Sequence, residues 1–490
     1  MKFTLNFKYI FRIYGYIILL IGLAMLPAFI TSWAYNEPDI SIGFLTSGLV
    51  ATTIGALLII VSQPQHHNLK ARDVYMIVGL AWPIMAFFGA LPYIVSGYTE
   101  SFASALFEST AGFTTTTATA FIVEVTPKGL LMWKAICHWL GGLAILVFLV
   151  GFLSALGSGG NKIFSDEFPV LTSDKPISKF ADSKRMFYVY LFFTVTEFIF
   201  LSFSEMNLFD NLVTTMGCVS TSGLFAHSSG IAYFDSIYIE AVIIVYTILS
   251  AISYTLYPMI ARGRFREVLR NSEVKTYLTI LLVAIIIVAF NLFTTGTCET
   301  IGDSLRYAAF YSASFATTSG YNVVDYGSWP TMCLVTFVIL MLIGGCTAST
   351  SGSIKVARIM VMVKLMTQTF YKRIHPHAVM DVQIGDTHVS SQVVACVTSF
   401  ILSFFAIILG SSVVVSLQGF DLSTNLSVVI AMMTNTGIYL GDFGALGYFG
   451  IFSDGLQIFL AFLMIIGRLE IFSVLILFSP SFWHPSRTID

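Results

Sequence analysis

Apolar residues run along this chain in long blocks broken by short polar stretches, not in the regular alternation of elements that are half in water. A helix crosses the hydrocarbon core of a bilayer with about 20 such residues. On that measure the first two spans lie near Tyr14 to Trp33 and Ile42 to Val61, divided by the acidic turn Glu37-Pro38-Asp39. Beyond them the blocks recur in one order: a long block, a shorter segment ending in a polar run with a glycine, then a second long block. The first blocks lie near 73 to 96, 186 to 205, 275 to 295 and 392 to 416, and the second near 130 to 155, 233 to 260, 329 to 370 and 452 to 478. The pattern predicts about ten crossing segments.

The shorter segments, 101 to 110, 208 to 219, 303 to 316 and 422 to 434, are too short to cross and too apolar for surface loops. They are predicted to be re-entrant half-helices. The runs that end them are Ser109-Thr110-Ala111-Gly112-Phe113-Thr114, Thr221-Ser222-Gly223-Leu224, Thr318-Ser319-Gly320-Tyr321 and Asn435-Thr436-Gly437-Ile438. Their glycines are separated by 111, 97 and 117 residues, which marks four copies of a unit of about 110 residues. One Thr-Ser-Gly is a commonplace turn; four between paired spans form a set. The expected fold is an all-α polytopic membrane protein: two transmembrane helices in 1–68, then four span, pore-helix, span repeats in pseudo-fourfold arrangement at 69–160, 161–265, 266–375 and 376–490. Non-helical backbone at membrane depth is tolerated only where protein buries it or where it lines a water-filled cavity. The four loops should therefore line a common path.

Composition agrees with a bilayer setting among membrane lipid. The chain is 56% hydrophobic and 11% charged, against about 25% charged in soluble domains. Its net charge of −2 offers no basic surplus for nucleic acid. The six cysteines are scattered without a CxxC pair and are read as packing residues. Lys2, Lys8 and Arg12 precede an apolar run that continues to Ala34 without a small-residue cleavage site, so the first span is expected to be retained. With both termini cytosolic, 21 of the 25 Lys and Arg fall on the inner side, the exceptions being Lys128, Lys134, Arg306 and Arg468. The re-entrant loops then open outward beside Glu124, Glu205, Asp210, Glu299 and Asp303, which favours cations.

A dehydrated alkali cation needs oxygens to replace its water, and backbone carbonyls from four loops supply them. Glycine reaches the backbone angles that turn successive carbonyls to one axis. The candidate ligand-bearing positions are Thr110, Ala111, Gly112, Thr221, Ser222, Gly223, Thr318, Ser319, Gly320, Asn435, Thr436 and Gly437. The second block of the third repeat is too long for one helix, and Gly344 to Ser353 interrupts it. Gly344, Gly345, Thr347, Ser349, Thr350, Ser351, Gly352 and Ser353, with Lys355, are the candidate gate, a flap across the path; a plain kink or linker is the alternative. Arg468 lies mid-span, where a charge costs at least about 2.5 kcal/mol. It should face the pore as a barrier to cations or meet a polar partner; Glu108, Glu197 and Glu240 are candidates, whereas Glu470 is two residues away on the same helix and points elsewhere.

These residues resemble the Trk/Ktr/HKT potassium transporters, and most closely the Trk-type (TrkH-like) membrane subunit. Besides the four runs, the resemblance rests on Leu106 to Thr116, His138-Trp139-Leu140-Gly141-Gly142, Ile343 to Lys355 and Gly467-Arg468-Leu469-Glu470, and it covers nearly the whole chain. It implies potassium uptake across a bacterial inner membrane through a filter of four loops, K+ as the bound and transported ion, a homodimer, and a cytosolic nucleotide-binding regulatory ring of the TrkA, RCK type. It also assigns the intramembrane gating loop to the 344–353 stretch. With a glycine in each run, it implies preference for potassium rather than a sodium-preferring filter with serine at one position, and Gly112→Ser is expected to weaken that preference. No organic cofactor and no enzymatic role is expected; paired carboxylates or a histidine-rich site are missing from the spans, where His138 is the one histidine. A sodium- or proton-coupled symporter and a non-selective sodium and potassium pathway are the alternatives, although rocking transporters usually show two inverted halves.

Two cytosolic features carry less. Gly157-Ser158-Gly159-Gly160 has neither the Lys-Ser/Thr partner nor the preceding strand of a phosphate loop. His66-His67 and His375-Pro376-His377 are lone pairs in basic loops and are read as solvated surface. The basic stretches 162–185, 262–275 and 355–373 are equally docking sites for a regulatory partner and plain markers of topology.

Overall fold

The computed structural model describes residues 5–63, 70–155, 181–376, 382–385, 387–440 and 447–483. The phosphate-loop-like stretch 157–160, the pair His66-His67, His377 and most of the basic segment 162–185 lie outside them. The chain is helical apart from a two-stranded antiparallel hairpin, β1 (Val382–Ile384) with β2 (Thr387–Val389).

Two helices, α1 (Phe7–Ala24) and α2 (Leu26–Ala34), make the first span, with Pro27 in the first turn of α2. The second is α3 (Pro38–Val61). It packs closely on α1 because small residues face each other: a Cβ at Gly55 would lie 2.6 Å from the Leu19 nitrogen and 2.8 Å from the Gly15 carbonyl. Such close backbone approach replaces the hydrophobic driving force that lipid removes.

Repeat one is α4 (Ala71–Val95), α5 (Phe102–Phe113) and α6 (Lys128–Ala155). Repeat two is α7 (Ala181–Leu201), α8 (Leu208–Val219) and α9 (Ile237–Ser250). Repeat three is α10 (Ser272–Thr294), α11 (Ile301–Ala316), α12 (Thr331–Ile343) and α13 (Val356–Ile374). Repeat four is α14 (Ser391–Val415), α15 (Leu422–Met433), α16 (Asp454–Arg468) and the short α17 (Phe472–Leu475). The first spans and half-helices fall within a few residues of the sequence expectation.

Among the described residues six helices are long and apolar enough to cross alone, or seven if α16 and the 472–478 segment count as one span bent by 114°. The second spans of repeats two and four are broken, as well as that of repeat three, the one expected to be interrupted. Their helices α9, α12 and α16 hold 14, 13 and 15 residues and stop partway. Only the break after α12 is marked by glycines, Gly344 and Gly345. The break after α16 is made by Glu470 and Ile471, both with positive φ.

Each second span packs on the half-helix of the next repeat: α6 on α8, α9 on α11, α12 on α15, and α16 back on α5. The units therefore close as a ring in chain order. Arg306 of α11 makes a two-pronged pair with Glu240 of α9, at 2.7 and 2.6 Å, tying repeats two and three. The fourth seam joins residues far apart in sequence: the Ser101 hydroxyl donates to Asp454 at 3.0 Å and that of Ser104 to Gln457 at 2.8 Å.

Candidate functional site

Each half-helix begins on a side-chain cap, the signal that lets so short a helix start where it does. Ser101, Asn207, Thr300 and Asp421 accept from the backbone N–H groups of Ser104, Asp210, Asp303 and the Ser423-Thr424 pair. The C-terminal ends, partially negative, run into the four loops, and all four loops leave their helix by the same path. The residue two beyond the helix end turns left-handed: Thr115, Thr221, Thr318 and Asn435, with φ of 54°, 53°, 59° and 57°. The next N–H then reaches back five residues, Thr116 to Ala111, Ser222 to Gly217, Ser319 to Ser314 and Thr436 to Ala431, at 2.9, 2.8, 2.9 and 3.0 Å.

This shared path fixes the register and corrects one position. Gly223, Gly320 and Gly437 follow two residues after the turn, with φ of 64°, 71° and 81°. The matching residue of repeat one is Thr117, not Gly112. Gly112 lies inside α5 with Thr110 and Ala111, and its missing Cβ accommodates α6: a Cβ there would sit 2.7 Å from that of Cys137. So Thr110, Ala111 and Gly112 lie in the last turn of the half-helix, and Thr115, Thr116 and Thr117 line up with Thr221 to Gly223, Thr318 to Gly320 and Asn435 to Gly437. A glycine search steps past a four-threonine run, which is why the sequence reading landed five residues too early.

The glycine positions approach their neighbours around the ring. A Cβ at Gly223 would collide with the Ser319 carbonyl, one at Gly320 would lie 2.7 Å from the Thr436 carbonyl, and one at Gly437 would lie 2.5 Å from the Thr117 nitrogen. Thr117 has a side chain at this level. Its Oγ1 lies 2.6 Å from the carbonyl oxygens of both Ser222 and Ser319.

Behind loop one lies a buried ion pair. Lys134 donates to Glu108 at 2.6 Å and to the Ala118 carbonyl at 2.9 Å, while Glu108 accepts from the Ala120 N–H at 2.8 Å and from Thr119 at 3.0 Å. Both are almost fully buried. The pair spans α5 and α6, so no local pattern marks it.

Beneath the ring, residues 344–355 lie between the repeats as a compact loop. Gly344, Ala348, Ser353 and Lys355 have positive φ. The Cys346 N–H donates to Ala251 at 2.8 Å, inside the break after α9, and the Gly352 N–H donates to the Thr318 hydroxyl at 2.8 Å. The Thr350 hydroxyl reaches the carbonyls of Ser250 and Val219, and a Cβ at Gly352 would meet the Thr434 carbonyl. Glu273, at the start of α10, accepts from the Thr347 N–H at 2.6 Å and its hydroxyl at 2.8 Å. Ser349 and Ser351 share a 2.7 Å hydrogen bond, and the Lys355 ammonium folds back on the Ser351 carbonyl. The loop thus touches repeats two, three and four at once. Gly345 is packed against Ser351 and Ala251, and Ser353 donates to the Met341 carbonyl at 2.5 Å.

Arg468 ends α16 and is buried. Among the described residues none of the carboxylates weighed as partners is paired with it: Glu108 pairs with Lys134, Glu240 with Arg306 and Glu470 with Arg358, and Glu197 is buried elsewhere beside Cys218. Instead its Nη1 donates to the Thr350 carbonyl at 2.7 Å. Lys355 and Arg358, counted by position among the cytosolic charges, are buried as well. Of the acidic residues expected beside an outward-facing mouth, Asp210 is buried against His227 and Glu124 accepts from Ser228, while Glu205 and Glu299 are exposed.

The sequence and the fold are similar to those of known proteins. The chain is 31% identical over 489 residues to the Trk system potassium uptake protein TrkH of Halomonas elongata, covering 98% of this chain and 100% of that one. It is 30% identical to the Trk system potassium uptake protein TrkG of Escherichia coli K12, covering 98% and 99%. The crystal structure of the potassium transporter TrkH from Vibrio parahaemolyticus superposes with a TM-score of 0.89 at 27% identity, over 98% of this chain and 100% of that one. The TrkH model, described as a cation transport protein, matches residues 41–485, and the chain belongs to this family.

Proposed function

We propose that this chain takes up potassium across a bacterial inner membrane, with both termini cytosolic. The ion passes down its electrochemical gradient through the ring formed by Thr115 to Thr117, Thr221 to Gly223, Thr318 to Gly320 and Asn435 to Gly437. Relatives named as potassium uptake proteins along their whole length support the cargo. The observation that supports this mechanism is the common backbone path of the four loops at the ends of four half-helices; in this reading it aims equivalent carbonyls at one axis. Carbonyl oxygens of this kind substitute for the hydration shell of an alkali cation without any ring of carboxylates.

Loop 344–355 is the gate in this reading. It lies under the ring, bound to three repeats, and it must leave for an ion to pass. Arg468 holds it at Thr350 and keeps a positive charge in the path while it is closed. A homodimer with a cytosolic nucleotide-binding ring would supply the force that frees the loop, acting through α13 and the basic residues that follow it. Rubidium uptake into liposomes holding the purified chain, with potassium and sodium as competitors, tests the reading. Saturable uptake that needs no sodium or proton gradient is expected; strict dependence on either gradient would replace the passive pathway by symport, and absence of uptake even after gate-loosening substitutions would end it.

A further inference from the structure

Away from the ring, a cavity of about 630 Å³ is bounded by α4, α13, α14 and the bent segment that runs from the end of α16 into α17. That volume is in the range of ligand sites. Its walls include Tyr75, Val397, Phe400, Phe472, Leu475 and Ile476, and one side carries the Arg358–Glu470 pair. Arg358 is buried and lies over the Phe400 ring, 4.1 Å from its centre. Ala395 and Ser399 of α14 also line the cavity and are exposed. On α14 their stripe continues through Leu402, Phe405, Leu409 and Val413, exposed apolar side chains on a helix long enough to span a bilayer. This stripe suits lipid, and where it reaches the cavity its side chains become small. The opening therefore faces the bilayer. Ala395 and Ser399 stand about 6 and 12 Å beyond the first residue of α14, at about 1.5 Å per residue, and Tyr75 is as near the start of α4.

We propose that this cavity holds one acyl chain of an inner-leaflet phospholipid, and that the chain keeps the gate shut. The second half rests on the gate and the topology given under Proposed function. A mostly apolar lining, with its two charges paired to each other, fits hydrocarbon and offers little to a polar solute. The depth is that of lipid tails close below their headgroups. The phosphate then falls at the starts of α4 and α14, beside Arg72, which precedes Tyr75 by one turn on the same face and donates to the Ser481 carbonyl at 3.2 Å. The effect on the gate follows from where the pair stands. Arg358 comes just after Lys355, where the loop ends, and Glu470 just after Arg468, which holds the loop at Thr350. When the loop leaves, the start of α13 has to part from the break after α16, and the pair has to separate. Separation is costly in hydrocarbon and cheap in water. A chain in the cavity keeps the pair dry and so favours the closed state.

The test places the full-length protein in liposomes of phosphatidylethanolamine and phosphatidylglycerol, with a trace of phosphatidylglycerol carrying a diazirine midway along one acyl chain. After illumination, peptide mass spectrometry compares label in 470–476, at the cavity, with label in 402–413, on the lipid-facing stripe. Label in both segments is expected for the parent. Ser399→Trp, which fills the mouth, should remove it from 470–476 and leave it in 402–413. Absence of label from 470–476 in the parent, or label there that Ser399→Trp does not diminish, overturns the site. Rubidium flux tests the gate. Leu475→Gln, which makes the cavity polar and admits water, should raise flux about fivefold or more, while Ser399→Trp keeps the pair dry and should stay at the parent's level. Should Leu475→Gln fail to fold, Ala395→Asn makes the same change from α14. Arg468→Ala runs alongside. If it raises flux and the polar cavity variants do not, the chain does not hold the gate; if none of them raises it, the gate reading itself falls and takes this half of the proposal with it.

Discussion

Arg468 and Thr350 are joined by a 2.7 Å hydrogen bond from the guanidinium to the backbone carbonyl, linking the last half of the chain's final repeat to the middle of the loop beneath the ring. Its Nε and Nη2 are buried without a hydrogen-bond partner among the described residues. The guanidinium is thus anchored at a single point among the described residues. A hydrogen bond to a charged group contributes about 1.5–3 kcal/mol. Arg468→Ala should therefore raise rubidium flux into liposomes, without any regulatory partner, by about tenfold or more. Flux equal to that of the parent would remove Arg468 from the gate.

Glu273 holds the opposite side of the same loop through the backbone and hydroxyl of Thr347. Glu273→Gln keeps the volume and one acceptor, so a modest rise in basal flux is expected. Thr347→Ala should give a rise of its own, and the two together should fall short of the sum, because they break one clasp. Strict additivity in a double-mutant cycle would show that the two residues act apart.

Gly112 and Gly320 separate helix packing from ion contact. Gly112→Ser forces a Cβ against Cys137, an overpacking that costs about 1–3 kcal/mol; a lower unfolding temperature in detergent with an unchanged ion ratio is expected. Gly320→Ala meets the Thr436 carbonyl at 2.7 Å and should change the ion ratio. The opposite pattern would restore Gly112 to the ring.

The Glu108–Lys134 pair supports loop one from behind. Removing one partner of a buried pair leaves an uncompensated charge and costs about 3–5 kcal/mol. Lys134→Met should accordingly reduce the folded yield far more than the double variant Glu108→Gln, Lys134→Met, with size-exclusion recovery as the measure. Equal losses for the single and double variants would deny the coupling.

The outer frame of this protein is legible in its sequence because lipid enforces block lengths: α4, α10 and α14 begin and end close to where the apolar runs do. The half-helices are legible because each is bounded by a capping side chain and a hydroxyl-rich exit. The loop after α12 is legible because Gly344, Gly345 and Gly352 interrupt an apolar run. The breaks after α9 and α16 are hidden, since Ala251-Ile252 and Leu469-Glu470-Ile471 continue the surrounding pattern and the chain is bent by its neighbours. Thr117 is hidden for a different reason. Its role comes from counting residues beyond a helix end, and that end is set by tertiary packing of Gly112 on α6, not by any local signal in the run itself.

The seam between α16 and α5 has a consequence for how the molecule comes into being. Ser101 and Ser104 wait for Asp454 and Gln457, 353 positions later. Until ribosome and insertion machinery have delivered that final helix, the first half-helix lacks the partner its two serine hydroxyls bond. The ring therefore cannot close in any nascent chain that lacks α16. A permuted gene that begins at repeat two and ends with repeat one would move this last event to a different seam while leaving the finished ring the same.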